Sequence, residues 1–367
     1  MLKKREKSKE IKSVYVHIPF CSSICSYCDF CKFYTNHQWI EKYLKSLSNE
    51  IHKYYNNDII KTLYIGGGTP SSLSIDELNK LFNILKIFKL EKDYEFTFEC
   101  NIEDITITLL ELLKSNRVNR ISIGIQSFNN EYLSLLNRNH KKDISIEKIE
   151  LVKKYFNNIN IDLIYAIPGQ TLEALKKDLD ILLNLDIPHI STYSLIIENN
   201  TKLYIDNVKN IDEELDYNMY KLICTTLKDY NHYEISNFSK KGYESKHNLN
   251  YWDNNNYYGF GCGASGYINN TRYDNTRSIT NYINGKYRYE KEVLTKKKTI
   301  ENEFILGLRK THGIKKDIFK TKYNTDIHSD IVNKLLSQGK LIEDNKYIYI
   351  NPKYIYVSNN ILINFIN

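Results

Sequence analysis

Six short runs rich in β-branched and aromatic residues, at 14–18, 62–65, 95–99, 120–125, 160–165 and 189–194, alternate with longer amphipathic stretches. This alternation restricts the fold more than any other feature of the chain. WIEKYLKSLSNEIHKYY and SIDELNKLFNILKIF carry apolar residues three and four apart, the spacing of one helix face. Ser74 followed by Glu77 has the pattern of a capping box, and Thr171 stands as the N-cap of a further helix after a Pro-Gly turn. Strand and helix in repeated succession require parallel strands joined by right-handed crossovers, so the expected class is α/β, as an open sheet or a barrel.

Both architectures carry their chemistry at the carboxyl ends of the strands. A cysteine cluster follows the first run, GGGTP (66–70) follows the second, and Glu99 ends the third. Gln126 and Ser127 follow the fourth, Asp162 and IPGQT belong to the fifth, and Tyr193 and Ser194 end the sixth. Nearly every chemically unusual residue is thereby expected on one face.

From about residue 230 the alternation stops. A glycine- and aromatic-rich stretch, HNLNYWDNNNYYGFGCGASGY, leads to helical patterns in ENEFILGLRK and HSDIVNKLLSQ and then to KLIEDNKYIYINPKYIYV, which reads as a two-stranded ribbon. The expected organisation is a barrel over 1–230, a glycine/aromatic segment over 231–295 and a small α+β domain of winged-helix type over 296–367. GFGCGASG lacks the first-strand setting, and the acid about 20 residues on, that a dinucleotide fingerprint needs, so a Rossmann fold is not expected.

The stretch YVHIPFCSSICSYCDFCKFY places Cys21, Cys25, Cys28 and Cys31, four of the seven cysteines, within eleven positions. A chain of 367 residues needs neither metal nor disulfide to hold a core. The opening MLKKREKSKEIK is polar and has no apolar segment, so a reducing, cytoplasmic compartment is expected rather than a secreted disulfide scaffold. No apolar run approaches the roughly 18 residues of a membrane span, which leaves peripheral membrane contact as the one membrane association compatible with the sequence. Three thiolates at C-x-x-x-C-x-x-C can hold three irons of a cubane cluster and leave the fourth iron open. A zinc site using all four cysteines, and a redox pair at Cys28 and Cys31, are the competing readings. The formal net charge of +7 comes with lysines scattered along the chain. The basic runs at 3–7 and 296–298 read as solvated faces, and no nucleic-acid partner is expected.

The cysteine motif with its preceding YVHIPF, then GGGTP, RISIGIQSF, IDLIYAIPGQT and PHISTYSL in this order, resembles the radical S-adenosylmethionine (SAM) superfamily. More narrowly, it is similar to the branch that holds oxygen-independent coproporphyrinogen oxidase (HemN) and the haem chaperones (HemW). The likeness runs over 14–266, with an echo at EFILGLRKTHGI. It implies a partial (β/α)6 TIM-type barrel, a 4Fe-4S cluster on Cys21, Cys25 and Cys28, and SAM on the open iron. It further implies SAM contacts from Gly67, Gly68, Thr69, Glu99, Gln126, Arg138 and Asp162, with Tyr15 and Tyr27 on the same side. Acids and amides suit an amine and ribose hydroxyls, glycines admit close backbone approach, and the Arg138 fork suits a carboxylate.

Two features separate members of that branch. Oxidase relatives carry a fourth cysteine two residues after the third and a substantial N-terminal arm. Here Cys28 is followed by Asp29 and Phe30, the CDF of HemW-like proteins, and the first strand begins almost at once. HNLNYW (247–252) matches the chaperones' H-N-x-x-Y-W, for which the resemblance implies haem binding with the His247 imidazole as axial ligand. The resemblance thus points to a haem chaperone holding a 4Fe-4S cluster, SAM and haem, with an acceptor protein for the haem and a reductant such as flavodoxin or ferredoxin. Oxidative decarboxylation of coproporphyrinogen III and, more remotely, RNA modification are the alternatives, so whether the chain is an enzyme stays open and no catalytic residue is assigned. Cys31 belongs to neither pattern, and Ala166 stands where the family carries Gly in YGLPGQT.

Overall fold

The computed structural model describes residues 10–366, and the basic run at 3–7 lies outside them. Six parallel strands stand side by side in chain order: β1 (Ser13–Ile18), β2 (Ile59–Gly67), β3 (Lys89–Asn101), β4 (Arg120–Gln126), β5 (Ile159–Tyr165) and β6 (His189–Ser194). All six contain the runs read from the sequence. β1 and β5 are buried almost without a break, as strands covered on both faces must be.

Caps fix where the connecting helices begin. The Asn36 side chain accepts from the Trp39 amide to open α1 (His37–Tyr54), and the Ser74–Glu77 capping box opens α2 (Ile75–Leu85). Thr171 accepts from the Ala174 amide to open α3 (Leu172–Asn184). Each cap contributes about 1 kcal/mol and sets the angle at which the chain leaves a strand end.

The sheet continues past residue 230. β7 (Asn231–Glu234) and β8 (Asn237–Ser239) form an antiparallel hairpin beside β6, while β9 (Tyr258–Phe260) lies parallel to β1 at the opposite edge. The order is β9-β1-β2-β3-β4-β5-β6-β8-β7, an open sheet that forms a partial barrel. Strands of three or four residues are too short to display a period of two, which is why the alternation fades from the sequence there.

A three-stranded antiparallel sheet follows (Ser265–Ile268, Thr271–Asn275, Arg288–Val293) and is tied to α1 through Glu50. That buried carboxylate accepts from the Tyr282 hydroxyl (2.6 Å), the Gly261 amide (2.9 Å) and the Asn275 side-chain amide (2.8 Å), with Arg288 at 3.5 Å. Residues 296–366 hold a separate apolar cluster that includes Phe304, Phe319, Val332, Leu335, Ile348 and Phe365. Among the described residues no helix is long and apolar enough to cross a membrane.

Strand register positions the site. His17 lies beside Gly66, Glu99 beside Ser122, Gly124 beside Asp162, and Asp162 beside Ser191. Polar residues of adjacent strands therefore share one level near the carboxyl ends.

Candidate functional site

A cavity of about 370 Å³ opens at that level. It gathers Cys21, Cys25, Cys28, Tyr27, Gly67, Gly68, Thr69, Glu99, Gln126, Arg138 and Asp162 from the residues expected on sequence grounds. Tyr15 and His247 are not on its wall. Tyr64, Asn101, Arg120, Asn160 and Asn248 are, although the sequence reading gave none of them a role. One signal could have found two of them: Arg120 and Asn160 are polar residues within strands otherwise buried on both faces.

The cysteine loop is laced to its surroundings by bonds that involve no sulfur. The Ser26 amide donates to the Leu136 carbonyl (3.1 Å), its hydroxyl to the Leu135 carbonyl (2.6 Å), and the Leu203 amide to the Ser26 carbonyl (3.0 Å). The Asn137 side chain donates to the Ile24 carbonyl (2.7 Å). Cys21, Cys25 and Cys28 are free thiols facing the same space. Thr69 Oγ1 is 3.7 Å from Cys21 Sγ, and Arg138 Nη1 is 3.4 Å from Cys25 Sγ. Burial pushes the Cys21 thiol up to about 11, with a smaller contribution from its neighbouring cysteines, and burial raises Cys28 as well.

Cys31 turns away from this space. Its sulfur lies 3.9 Å from Cys262 Sγ and 3.6 Å from the Arg277 carbonyl, off the cavity wall. The hydrogen bond from Cys262 favours the Cys31 thiolate, with Arg277 adding to it, and the same bond holds the Cys262 proton in place. The four sulfurs thus share no centre, and among the described residues no three His, Cys, Asp or Glu side chains converge as they would on a single ion. Three unbonded thiols around one cavity suit a cubane, whose irons are held one per thiolate.

Two glycines let the loop after β2 close against these groups. Gly67 has φ +121°, and a Cβ there would stand 2.7 Å from the His17 ring. At Gly68 a Cβ would stand 2.9 Å from Cys21 Sγ. The Gly67 amide donates to Glu99 Oε2 (3.0 Å) while the Tyr64 hydroxyl donates to Oε1 (2.6 Å). Burial pushes the Glu99 carboxyl up to about 7; the Tyr64 bond opposes this and nearby Asp162 adds to it. Asp162 accepts from Asn160 Nδ2 (2.8 Å) and Ser122 Oγ (3.5 Å), and burial raises it too.

Arg138 spans the site. Nη1 reaches Asn101 Oδ1 (3.0 Å) as well as Cys25, and Nη2 donates to the Gly124 carbonyl. Its buried Nε has no partner, nor has that of Arg120. Gln126 and Ala166 hold φ of +70° and +61° at the ends of β4 and β5. Unused buried donors and non-glycine residues in the left-handed region are features that accumulate where a ligand completes the structure.

His247 stands one side chain further in. Its ring packs on Tyr64 with centroids 5.1 Å apart, and it is 2% exposed. Nδ1 is 2.8 Å from Thr62 Oγ1 and Nε2 is 2.7 Å from the Tyr251 hydroxyl, so both ring nitrogens are engaged. Burial, with Arg120 nearby, lowers its pKa to about 3 and keeps the ring neutral. Its neighbour Asn248 is the residue of HNLNYW that faces the cavity. Tyr15 is likewise turned inward, its hydroxyl 2.9 Å from His17 Nδ1.

The model of the radical SAM superfamily matches residues 15–182. The haem chaperone HemW of Lactococcus lactis subsp. lactis is 40% identical over 368 aligned residues, which cover 96% of this chain and 97% of that protein. The chain belongs to the HemW family of radical SAM proteins. HemW of Bacillus subtilis is 38% identical, covering 93% of this chain and 95% of its own, and HemW of Escherichia coli is 34% identical over 75% and 76%. Among solved structures, coproporphyrinogen III oxidase (HemN) from Escherichia coli superposes with a TM-score of 0.85 at 22% identity, covering 97% of this chain and 90% of that one. That likeness shows the fold, a partial barrel followed by a smaller C-terminal unit. Membership of the superfamily implies a 4Fe-4S cluster and SAM, and this cavity fits both: three thiols on one loop, two raised carboxyls, and guanidinium donors with nothing to bond.

Proposed function

We propose that this protein carries haem and hands it to an acceptor protein, with a 4Fe-4S cluster on Cys21, Cys25 and Cys28 and SAM across the strand ends. The observation that carries this reading is the near-full-length likeness to proteins named haem chaperones, at 40% identity over 96% of the chain. The CDF that begins with the last cysteine of the triad agrees with it, since Phe30 stands where oxidase relatives place a further cysteine.

Within the cavity, Glu99 and Asp162 suit the SAM amine and ribose hydroxyls, and Arg138 suits its carboxylate while keeping a positive charge beside Cys25. When bound, a reduced cluster supplies an electron to SAM, and a flavodoxin- or ferredoxin-like protein is the class of donor that would reduce it. The chain's own residues hold the ligands, tie the sulfur loop to the backbone around it, and present Glu99 with its carboxyl raised by burial.

The test is a transfer assay. Haem-loaded, cluster-reconstituted protein mixed with a haem-free acceptor should lose its Soret band as the acceptor gains one. Asp162→Ala should weaken SAM binding about tenfold, a difference of about 1.4 kcal/mol, with iron content retained. Conversion of coproporphyrinogen III to protoporphyrinogen IX by the same preparation, without haem uptake, would replace this reading with the oxidase one.

A further inference from the structure

Cys31 and Cys262 stand off the cavity wall and have no part in the site. They come from positions 231 apart, are 7% and 0% exposed, and hold their sulfurs 3.9 Å from each other. Their approach is built from both sides. A Cβ at Gly263, where φ is +82°, would stand 2.4 Å from Cys31 Cβ, and one at Gly261 would stand 2.4 Å from the His17 carbonyl oxygen. The sequence GCG thus lets the backbone around Cys262 lie directly against the end of the cysteine loop. Both backbones are anchored there. His17 Nε2 is 2.8 Å from the Cys31 carbonyl oxygen, the Gly261 amide donates to Glu50 (2.9 Å), and the Gly263 amide donates to the Thr276 carbonyl (2.9 Å). With the backbones held, the sulfurs are about 2 Å of travel from the ~2.05 Å separation of a disulfide.

We propose that Cys31 and Cys262 close a reversible disulfide when a hydroperoxide reaches the cysteine loop, and that this bond spares Cys21, Cys25 and Cys28. That the spared thiols are cluster ligands rests on the function proposed above; the bond itself does not. Cys31 follows Cys28 at C-x-x-C spacing, so an oxidised Cys31 with no nearer partner would cross-link a thiol of the triad. Cys262 is that nearer partner. Cys31 is the less buried of the two and adjoins exposed Phe30, so it meets the oxidant first. With hydrogen peroxide, the Cys31 sulfur attacks one oxygen, the O–O bond breaks, and hydroxide leaves with the Cys31 proton as water. Cys31 is then a sulfenic acid, having given up two electrons. The Cys262 sulfur attacks Cys31 Sγ, the S–O bond breaks, and the departing hydroxide takes the Cys262 proton as a second water. A dithiol reductant returns both thiols by exchange.

The experiment gives full-length, cluster-free protein about one equivalent of hydrogen peroxide, blocks the remaining thiols with a maleimide in denaturant, and maps disulfides by mass spectrometry of unreduced digests. The Cys31–Cys262 pair should be the main product, with about two thiols lost per chain and regained on adding dithiothreitol. Treated wild type should then take up as much iron and sulfide as untreated wild type. Cys262→Ser should take up about threefold less after the same treatment, and Cys31→Ser/Cys262→Ser should recover the loss. Uptake by the untreated variants reports that they fold, and the wild-type map needs no variant. A main disulfide within the triad, or between Cys31 and a triad cysteine, would overturn the pair, as would a wild type in which Cys31 and Cys262 both remain open to the maleimide. Equal uptake by treated wild type and treated Cys262→Ser would overturn the sparing of the triad. Failure of untreated wild type to take up iron would instead remove the cluster reading, and the map would still decide the bond.

Discussion

The barrel interior holds two layers of polar side chains, and they are built to different rules. In the inner layer, Thr62 donates to Ser13 Oγ at 2.8 Å and meets His247 Nδ1, Tyr251 meets His247 Nε2, and Glu95 accepts the His247 amide at 3.0 Å. Each imidazole nitrogen is spoken for. In the outer layer, the Nε atoms of Arg120 and Arg138 have no partner, burial raises Glu99 and Asp162, with Asp162 adding to the shift of Glu99, and Gln126 and Ala166 sit at positive φ. Motif content does not separate the layers, since HNLNYW reaches both. Leftover hydrogen-bonding capacity does, because a buried polar group without a partner is costly unless something else supplies one.

The contrast is easiest to break at the sulfurs. Cys21→Ala, Cys25→Ala or Cys28→Ala should take reconstituted iron from about four per chain to less than one, whereas Cys31→Ala and Cys262→Ala should retain it, by iron and sulfide analysis. Equal losses at Cys31 would place that sulfur in the outer layer after all.

A smaller effect is expected in the inner layer. His247→Ala should lower the unfolding free energy of the cluster-free protein by about 3 kcal/mol in urea, because it opens a void and strands Thr62 and Tyr251. Asp162→Ala should change it by less than about 1 kcal/mol, since relief from burying the carboxylate offsets the bonds lost from Asn160 and Ser122. If the two variants lose the same stability, the layers are not distinct.

Glu99 adds a pH signature. Its folded pKa of about 7 lies above the usual 4.5. The folded state therefore holds the proton more tightly than the unfolded chain, and the associated stability, full below about pH 4.5, is lost as pH rises through 7. Between pH 5 and 8 the cluster-free wild type should lose about 2 kcal/mol more than Glu99→Gln in parallel denaturation curves. His247 has the opposite sign: depressed to about 3 from 6.5, it contributes stability that is lost as pH falls through that window.

The smallest effect is at Ala166, whose φ of +61° suits glycine better than alanine. Ala166→Gly should raise stability by about 0.5 kcal/mol, the left-handed penalty of alanine outweighing the extra freedom of glycine in the unfolded chain. A loss of stability on that substitution would mean that its methyl packs usefully.

Features encoded locally were legible before the structure. Strand runs of four to six residues, the Ser74–Glu77 box and the Thr171 cap each declare themselves within a few positions, and the strand-end rule then brought the glycine loop, Glu99, Gln126 and Asp162 to one face. What stayed hidden depends on partners far along the chain. β9 is three residues long and is defined by its pairing with β1. Cys31 meets Cys262 from 231 positions away, which no spacing rule within the cysteine cluster could reveal. A motif can likewise name His247 but not say whether its nitrogens are free, since that depends on Thr62, 185 positions upstream.

The lacing of the cysteine loop to the backbone around Leu135, Leu136 and Leu203 bears on how the protein is matured and kept in service. In small zinc modules the unfolded chain waits for metal, and binding and folding are one event. Here the loop is held by bonds between carbonyls, amides and a hydroxyl that use no sulfur, so its shape does not rest on an inorganic part alone. A cluster lost to oxygen would then leave a loop that can be refilled, and the lifetime of the polypeptide would not be tied to that of its most fragile component.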